Sequence, residues 1–129
     1  MIYTTYFANL KRLPKDIFPI SIAGKAPDWY NGAQYKKLAP KYSFFKEWKE
    51  NYNNDYYIKC FKEQVLDKLD IINVIRDILD ISSNNGYFSN KIALVCYEKP
   101  EDFCHRHLVA EWLNNYGFDC KEWYPDENY

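Results

Sequence analysis

The stretch Lys91–Leu113, KIALVCYEKPEDFCHRHLVAEWL, decides the fold. Ile92–Tyr97 is nearly continuous apolar, the pattern of a strand buried on both faces rather than one that alternates between core and water. A short acidic loop, Glu98–Asp102, follows, and a helix opens on Cys104-His105-Arg106. Many α/β folds build a ligand site from that order of strand, loop and helix, and Ile92–Tyr97 is the expected centre of the sheet.

Two β-prone segments lie upstream: MIYTTY at the start, and DIFPISIA, in which Ile17, Phe18, Ile20 and Ile22 close before Gly24. A fourth short strand is expected in FDCKEWY, beyond the helix breaker Asn115–Gly117. Between the second and third strands runs one long crossover, opened by the turn-prone Trp29-Tyr30-Asn31-Gly32. Within it Ser43–Lys49 reads as a short helix. Tyr57, Phe61, Val65 and Leu69 recur every fourth residue behind the cap candidates Asn53, Asn54 and Asp55. Ile71, Ile72, Ile75, Ile78 and Leu79 form another helical stripe. Strands separated by helices favour parallel pairing through right-handed crossovers. The expected fold is therefore a single three-layer, Rossmann-like α/β domain over residues 1–129, with a small, mainly parallel sheet and a long helical crossover.

Bulk properties remove several function classes. A net charge of −1 argues against holding duplex DNA by bulk electrostatics. Met1–Leu10 has neither a basic leader nor an apolar segment, and no run approaches the ~20 residues of a membrane span, so a cytoplasmic protein without a membrane partner is expected. In that compartment the four cysteines are read as buried thiols, ligands or reactive groups rather than a disulfide framework. Aromatic residues make up 19%, with 13 tyrosines, and such rings line pockets for planar ligands as well as filling cores.

In open α/β sheets, ligands bind beyond the carboxyl ends of the strands. That edge gathers Tyr6, Ser21 and Cys96 with the first turn of the Cys104 helix. On a helical projection His105 shares a stripe with Val109, Trp112 and Tyr116 and is expected to face the sheet or cleft. His107 is expected to face water, and Arg106 to sit at an edge with a side chain long enough to reach around. A helix N-terminus favours anions and thiolates, which suits Cys104 beside His105 and Arg106. Four chemistries compete here. A phosphatase-like loop needs an arginine six positions after Cys96, where Asp102 stands. A zinc site needs Cys96, Cys104, His105 and Cys120 to converge without any C-x-x-C pair. A Cys96–Cys104 redox pair is open to a strand end and the next helix start. A polar pocket uses the most features at once: Arg106 holding an anion, His105 and Glu98 exchanging protons, and Cys104 as nucleophile or donor.

The run LVCYEKPEDFCHRHLVAEWL, with Cys96, Glu98, Cys104, His105 and Arg106 in that order, resembles the C-terminal signature of the domain-of-unknown-function 488 family, small cytosolic α/β proteins of bacteria, archaea and their viruses. The N-terminal blocks depart from it. The family often opens with Thr-Ile-Gly-Tyr/His-Ser and follows its second strand with Asp-Val-Arg, whereas here stand YTTYFAN, with Thr5 near the glycine position, and FPISIAG. If the missing arginine binds an anion in the family, this chain must use Ser21, Lys25 or nothing in its place. The resemblance implies a site at the Cys-His-Arg turn and names no reaction.

The expected function is a pocket for a small anionic, nucleotide-like ligand. Cys104, His105 and Glu98 are its expected catalytic groups. Arg106, Cys96, Ser21, Tyr6, Trp29 and Tyr30 are its expected ligand-binding residues, with the segment around Trp29, Tyr30 and Tyr35 as a lid. No metal or other cofactor is expected, and homo-oligomers are compatible with the sequence. An enzyme is favoured over a non-catalytic module that sequesters a nucleotide-derived defence signal, such as a viral protein would need; a protein–protein adaptor is a third class.

Overall fold

The computed structural model describes residues 1–125. Five strands form one sheet in the order β3-β2-β4-β1-β5: β1 (Ile2–Tyr6), β2 (Phe18–Ser21), β3 (Ala33–Gln34), β4 (Ile92–Cys96) and β5 (Cys120–Glu122). Every pairing is parallel, with Tyr6 opposite Cys96 and Ser21 opposite Val95. All five residues of β4 are buried, as a central strand covered on both faces requires. The four expected strands are present. The fifth, β3, interrupts the long crossover with two residues, too few for a β signal in the sequence.

The crossover then supplies α1 (Tyr42–Asn51), α2 (Asn54–Gln64) and α3 (Ile71–Asn84), and α4 (His105–Asn115) follows β4. Caps fix two of the starts: Asn53 accepts from the Tyr56 amide, and Asp70 accepts from the amides of Ile72 and Asn73. The expected stripe through Val65 and Leu69 does not stay on one helix, because α2 ends at Gln64 and a tighter 3-10 turn, Leu66–Lys68, carries the chain onward.

Right-handed connections that move the same way along a sheet lie on the same face. The passages from β3 through α1–α3 to β4, and from β4 through α4 to β5, both move toward β5, and α2 does touch α4. The main core fills this side, with Phe44, Phe61, Val74, Ile78, Leu94 and Leu113 among its buried members. The β1-to-β2 connection moves the other way. It is a 3-10 segment, Phe7–Arg12, and a loop, and Leu13 and Ile17 from this passage pack with Tyr3, Ala93 and Trp123 in a second, smaller cluster. The third layer is thus thin and irregular.

This topology positions a site. The chain leaves β2 toward β3 on one side and leaves β4 toward β5 on the other. Adjacent strands with diverging exits open a crevice at their carboxyl ends, the usual ligand position in open α/β sheets.

Candidate functional site

A cavity of about 740 Å³ occupies that crevice. Ala23, Gly24 and Lys25 line it just past β2, and Cys96, Tyr97 and Glu98 line it at and after the end of β4. Phe103, Cys104 and His105 add the start of α4, while Tyr42, Phe45, Trp48 and Lys49 of α1 and Tyr57 of α2 close the far side. The volume lies within the ~300–1,000 Å³ of small-molecule sites.

The apolar wall is built of rings. Phe45 and Trp48 stack at 6.5 Å with planes 23° apart, Trp48 lies 5.6 Å from Phe103, and Tyr57 meets Phe103 edge-on at 5.0 Å. The Trp48 indole N–H donates to Asn54 Oδ1 at 2.6 Å, which fixes the ring's orientation. Lys49 Nζ sits 5.5 Å from the Phe45 ring centre and 5.9 Å from that of Trp48, within cation–π range. Across the cavity, the Tyr97 hydroxyl donates to the Lys25 carbonyl and ties the two strand-end loops together.

His105 is buried, and its Nε2 lies 2.7 Å from the Ile22 carbonyl oxygen. A carbonyl only accepts, so Nε2 carries the hydrogen and Nδ1 the lone pair. Burial pushes the imidazole pKa down to about 4, the Ile22 hydrogen bond opposes it, and the Arg106 charge adds to it. The ring is therefore neutral at physiological pH. A stability consequence follows from the depressed value. Below about pH 6.5 the unfolded chain takes up a proton that the folded chain refuses until about pH 4, so stability falls as pH drops through this window. This histidine should cost roughly 2 kcal/mol between pH 7 and pH 5. Urea unfolding at both pH values measures it, and His105→Gln should lack this component.

Cys96 and Cys104 are joined in a disulfide, and Cys60 and Cys120 are free and buried. The sequence reads against a disulfide framework and leaves a Cys96–Cys104 pair as one of four competing chemistries. The pair forms because a strand end and the following helix start are neighbours, and Cys120 stands apart at the beginning of β5.

Of the expected site residues, Cys96, Glu98, Cys104 and His105 meet at the cavity, and Arg106 does not line it. Its side chain is fully buried and grips Glu122 in a bidentate pair, Nε to Oε1 at 3.1 Å and Nη2 to Oε2 at 3.0 Å. Thr4 Oγ1 adds a hydrogen bond to Oε1 at 2.7 Å. Arg106 Nη1 reaches Cys96 Sγ at 3.4 Å, and the Tyr6 ring lies 5.8 Å from the guanidinium carbon. The arginine points beneath the helix, not around its edge, and locks α4 to β1, β4 and β5. Ser21 is also buried, its Oγ accepting from the Ala23 amide at 3.3 Å. Trp29 and Tyr30 pack on Phe7, 6.1 and 5.3 Å away, and Tyr35 is buried with its hydroxyl on Asp77 at 2.6 Å. None of these three lines the cavity. His107 is half-buried rather than turned fully to water, and Tyr116, placed on the inward stripe by projection, is exposed.

The sequence reading missed Phe45, Trp48 and Lys49. They recur at i, i+3 and i+4, a spacing that puts two rings and a cation on one helix face and that could have marked α1 as a wall.

A model of the family described as "Active DUF488-N3 subclade" matches residues 8–117. The chain belongs to the DUF488 family. The matched span runs from the segment after β1 through α4, so it includes every cavity residue. Searches of curated proteins and of solved structures found no match. Among the described residues no helix of this DUF488 chain is long and apolar enough to cross a membrane.

Proposed function

We propose that this protein binds a small, planar, anionic ligand of nucleotide type in the strand-end cavity, in the cytoplasm. The observation that supports this best is the combination in one cavity of clustered rings, Phe45, Trp48 and Phe103, with two cations, Lys25 and Lys49. Rings accept a base face, and the lysines answer a phosphate with the free amides at the start of α4. Lys25, just past β2, takes the anion-holding part first given to Arg106, whose charge is already met by Glu122. The neutral His105 and the nearby carboxyl of Glu98 supply a proton acceptor and a second exchanging group, which favours turnover over sequestration.

The test is calorimetric titration with the four ribonucleoside 5′-monophosphates at fixed salt. At least one should bind wild type. Trp48→Ala should weaken it about 10- to 100-fold, since base stacking is worth ~1–3 kcal/mol. Lys25→Ala combined with Lys49→Ala should weaken it about 10-fold and flatten the salt dependence. Equal affinity of wild type and Trp48→Ala, both folded, would place the ligand elsewhere.

A further inference from the structure

Two sulfurs and an imidazole nitrogen meet in the cavity wall, and the ligand reading uses neither sulfur. Cys96 Sγ, Cys104 Sγ and a ring nitrogen of His105 lie within 4.8 Å of one another, all on buried side chains. His105 is wired as metal-ligating histidines are. Its Nε2–H is held by the Ile22 carbonyl, an outer-shell bond that fixes the tautomer, and the freed Nδ1 is the atom 4.0 Å from Cys104 Sγ. The Arg106 Nη1–H directed at Cys96 Sγ favours a thiolate there.

We propose that the reduced chain holds one zinc-class divalent cation on Cys96, Cys104 and His105, with the fourth coordination position open to the cavity. Two thiolates and an imidazole form a donor set suited to zinc, and three protein ligands with an open position are the pattern of reactive rather than purely structural zinc. Charge favours the set as well. Two thiolates balance a divalent ion, and Arg106 is already neutralised by Glu122, so no net charge is left buried. Room is available, because sulfurs on one tetrahedral zinc stand roughly 3.8 Å apart. The Cα atoms of Cys96 and Cys104 are 7.6 Å apart, wider than the usual ~5.5–6 Å of disulfide-bonded pairs, so the sulfurs can separate without moving the backbone.

The disulfide and the metal exclude each other. Opening needs a dithiol reductant: its thiolate attacks one sulfur and breaks the Cys96–Cys104 bond, and its second thiol resolves the mixed disulfide. Two electrons pass to the cysteine pair, and the reductant leaves as its own disulfide. The cation then displaces the remaining thiol protons to solvent.

The proposal is independent of the nucleotide reading, since its probe is metal alone. Metal-free full-length protein, reduced anaerobically with a phosphine, is titrated with cobalt(II) and then with zinc. One cobalt per chain is expected, with thiolate-to-cobalt charge-transfer absorption and the visible bands of a tetrahedral-type site, all lost when zinc displaces it. Cys60→Ser with Cys120→Ser should leave the titration unchanged. Cys96→Ser or Cys104→Ser should weaken binding at least about 100-fold, more than the ~10–100-fold typical of outer-shell losses. Disulfide-bonded wild type should bind no cobalt in this way. If either serine variant fails to fold, the reduced and oxidised wild-type titrations decide. A folded, reduced wild type without the charge-transfer band, or an oxidised one that shows it equally, overturns the proposal.

Discussion

Arg106→Ala should lower the unfolding free energy by about 3–5 kcal/mol, because it leaves a buried carboxylate without its partner. Glu122 has only 11% of its side chain exposed and receives two of the guanidinium's hydrogen bonds, and the arginine is fully buried. Removing the cation strands that charge, opens a large void under α4 and removes the donor to Cys96 Sγ. A domain of this size is stable by ~5–15 kcal/mol, so the loss is a large part of the whole. The double replacement Arg106→Met with Glu122→Leu should recover most of it, since well-packed apolar pairs often match buried ion pairs. Lys37→Ala, which removes a partner of Asp77 at a pair 66% and 36% exposed, should change stability by less than about 1 kcal/mol. Urea unfolding of the four proteins measures all three statements. A loss near that of Lys37→Ala would mean that Glu122 finds water or another donor.

Phe61→Ala should cost about 3–5 kcal/mol as well, by a different route. Its ring is fully buried, stacks on Tyr57 at 6.1 Å, meets Phe44 edge-on at 6.5 Å and lies 5.6 Å from the imidazole of His105. Truncation removes buried apolar surface and leaves a cavity under the histidine. Tyr57, which lines the cavity, also loses its stacking partner, so nucleotide affinity should fall with stability. Phe61→Leu keeps more of the volume and should cost less than half as much. Chemical denaturation of both variants, with the monophosphate titration repeated on each, separates the two effects. A small loss for Phe61→Ala would show that α2 collapses into the gap.

The central strand was legible because β4 breaks the alternation rule: five apolar residues in a row suit only a strand covered on both faces. The strand-end position of the cavity was legible for a similar reason, since Cys96 closes that strand and Cys104 opens the next helix. The role of Arg106 was not legible. Its partner, Glu122, lies sixteen residues on, on an edge strand, and no local spacing marks such a pair. The packing of Trp29 and Tyr30 was not legible, because aromatic content says nothing of which ring packs on which, and here both lie against Phe7. A Cys96–Cys104 pair was legible as one option, since a strand end and the next helix start are neighbours, but it lacks the thioredoxin spacing that would have singled it out. A compartment argues about disulfide frameworks, whereas a cysteine at a strand end and one at the next helix start can meet through local geometry alone.

The central claim is that the ligand sits in the crevice between the ends of β2 and β4. Amide chemical-shift mapping during titration with the tightest-binding nucleoside monophosphate tests it most directly. The largest shifts should fall on Ala23–Lys25, on Phe45–Lys49 and on Tyr97–His105, with the Trp48 indole N–H among them, while the amides of α3 and β5 stay in place. Shifts centred on α3 or β5, or none with any of the four monophosphates at millimolar concentration, would contradict it.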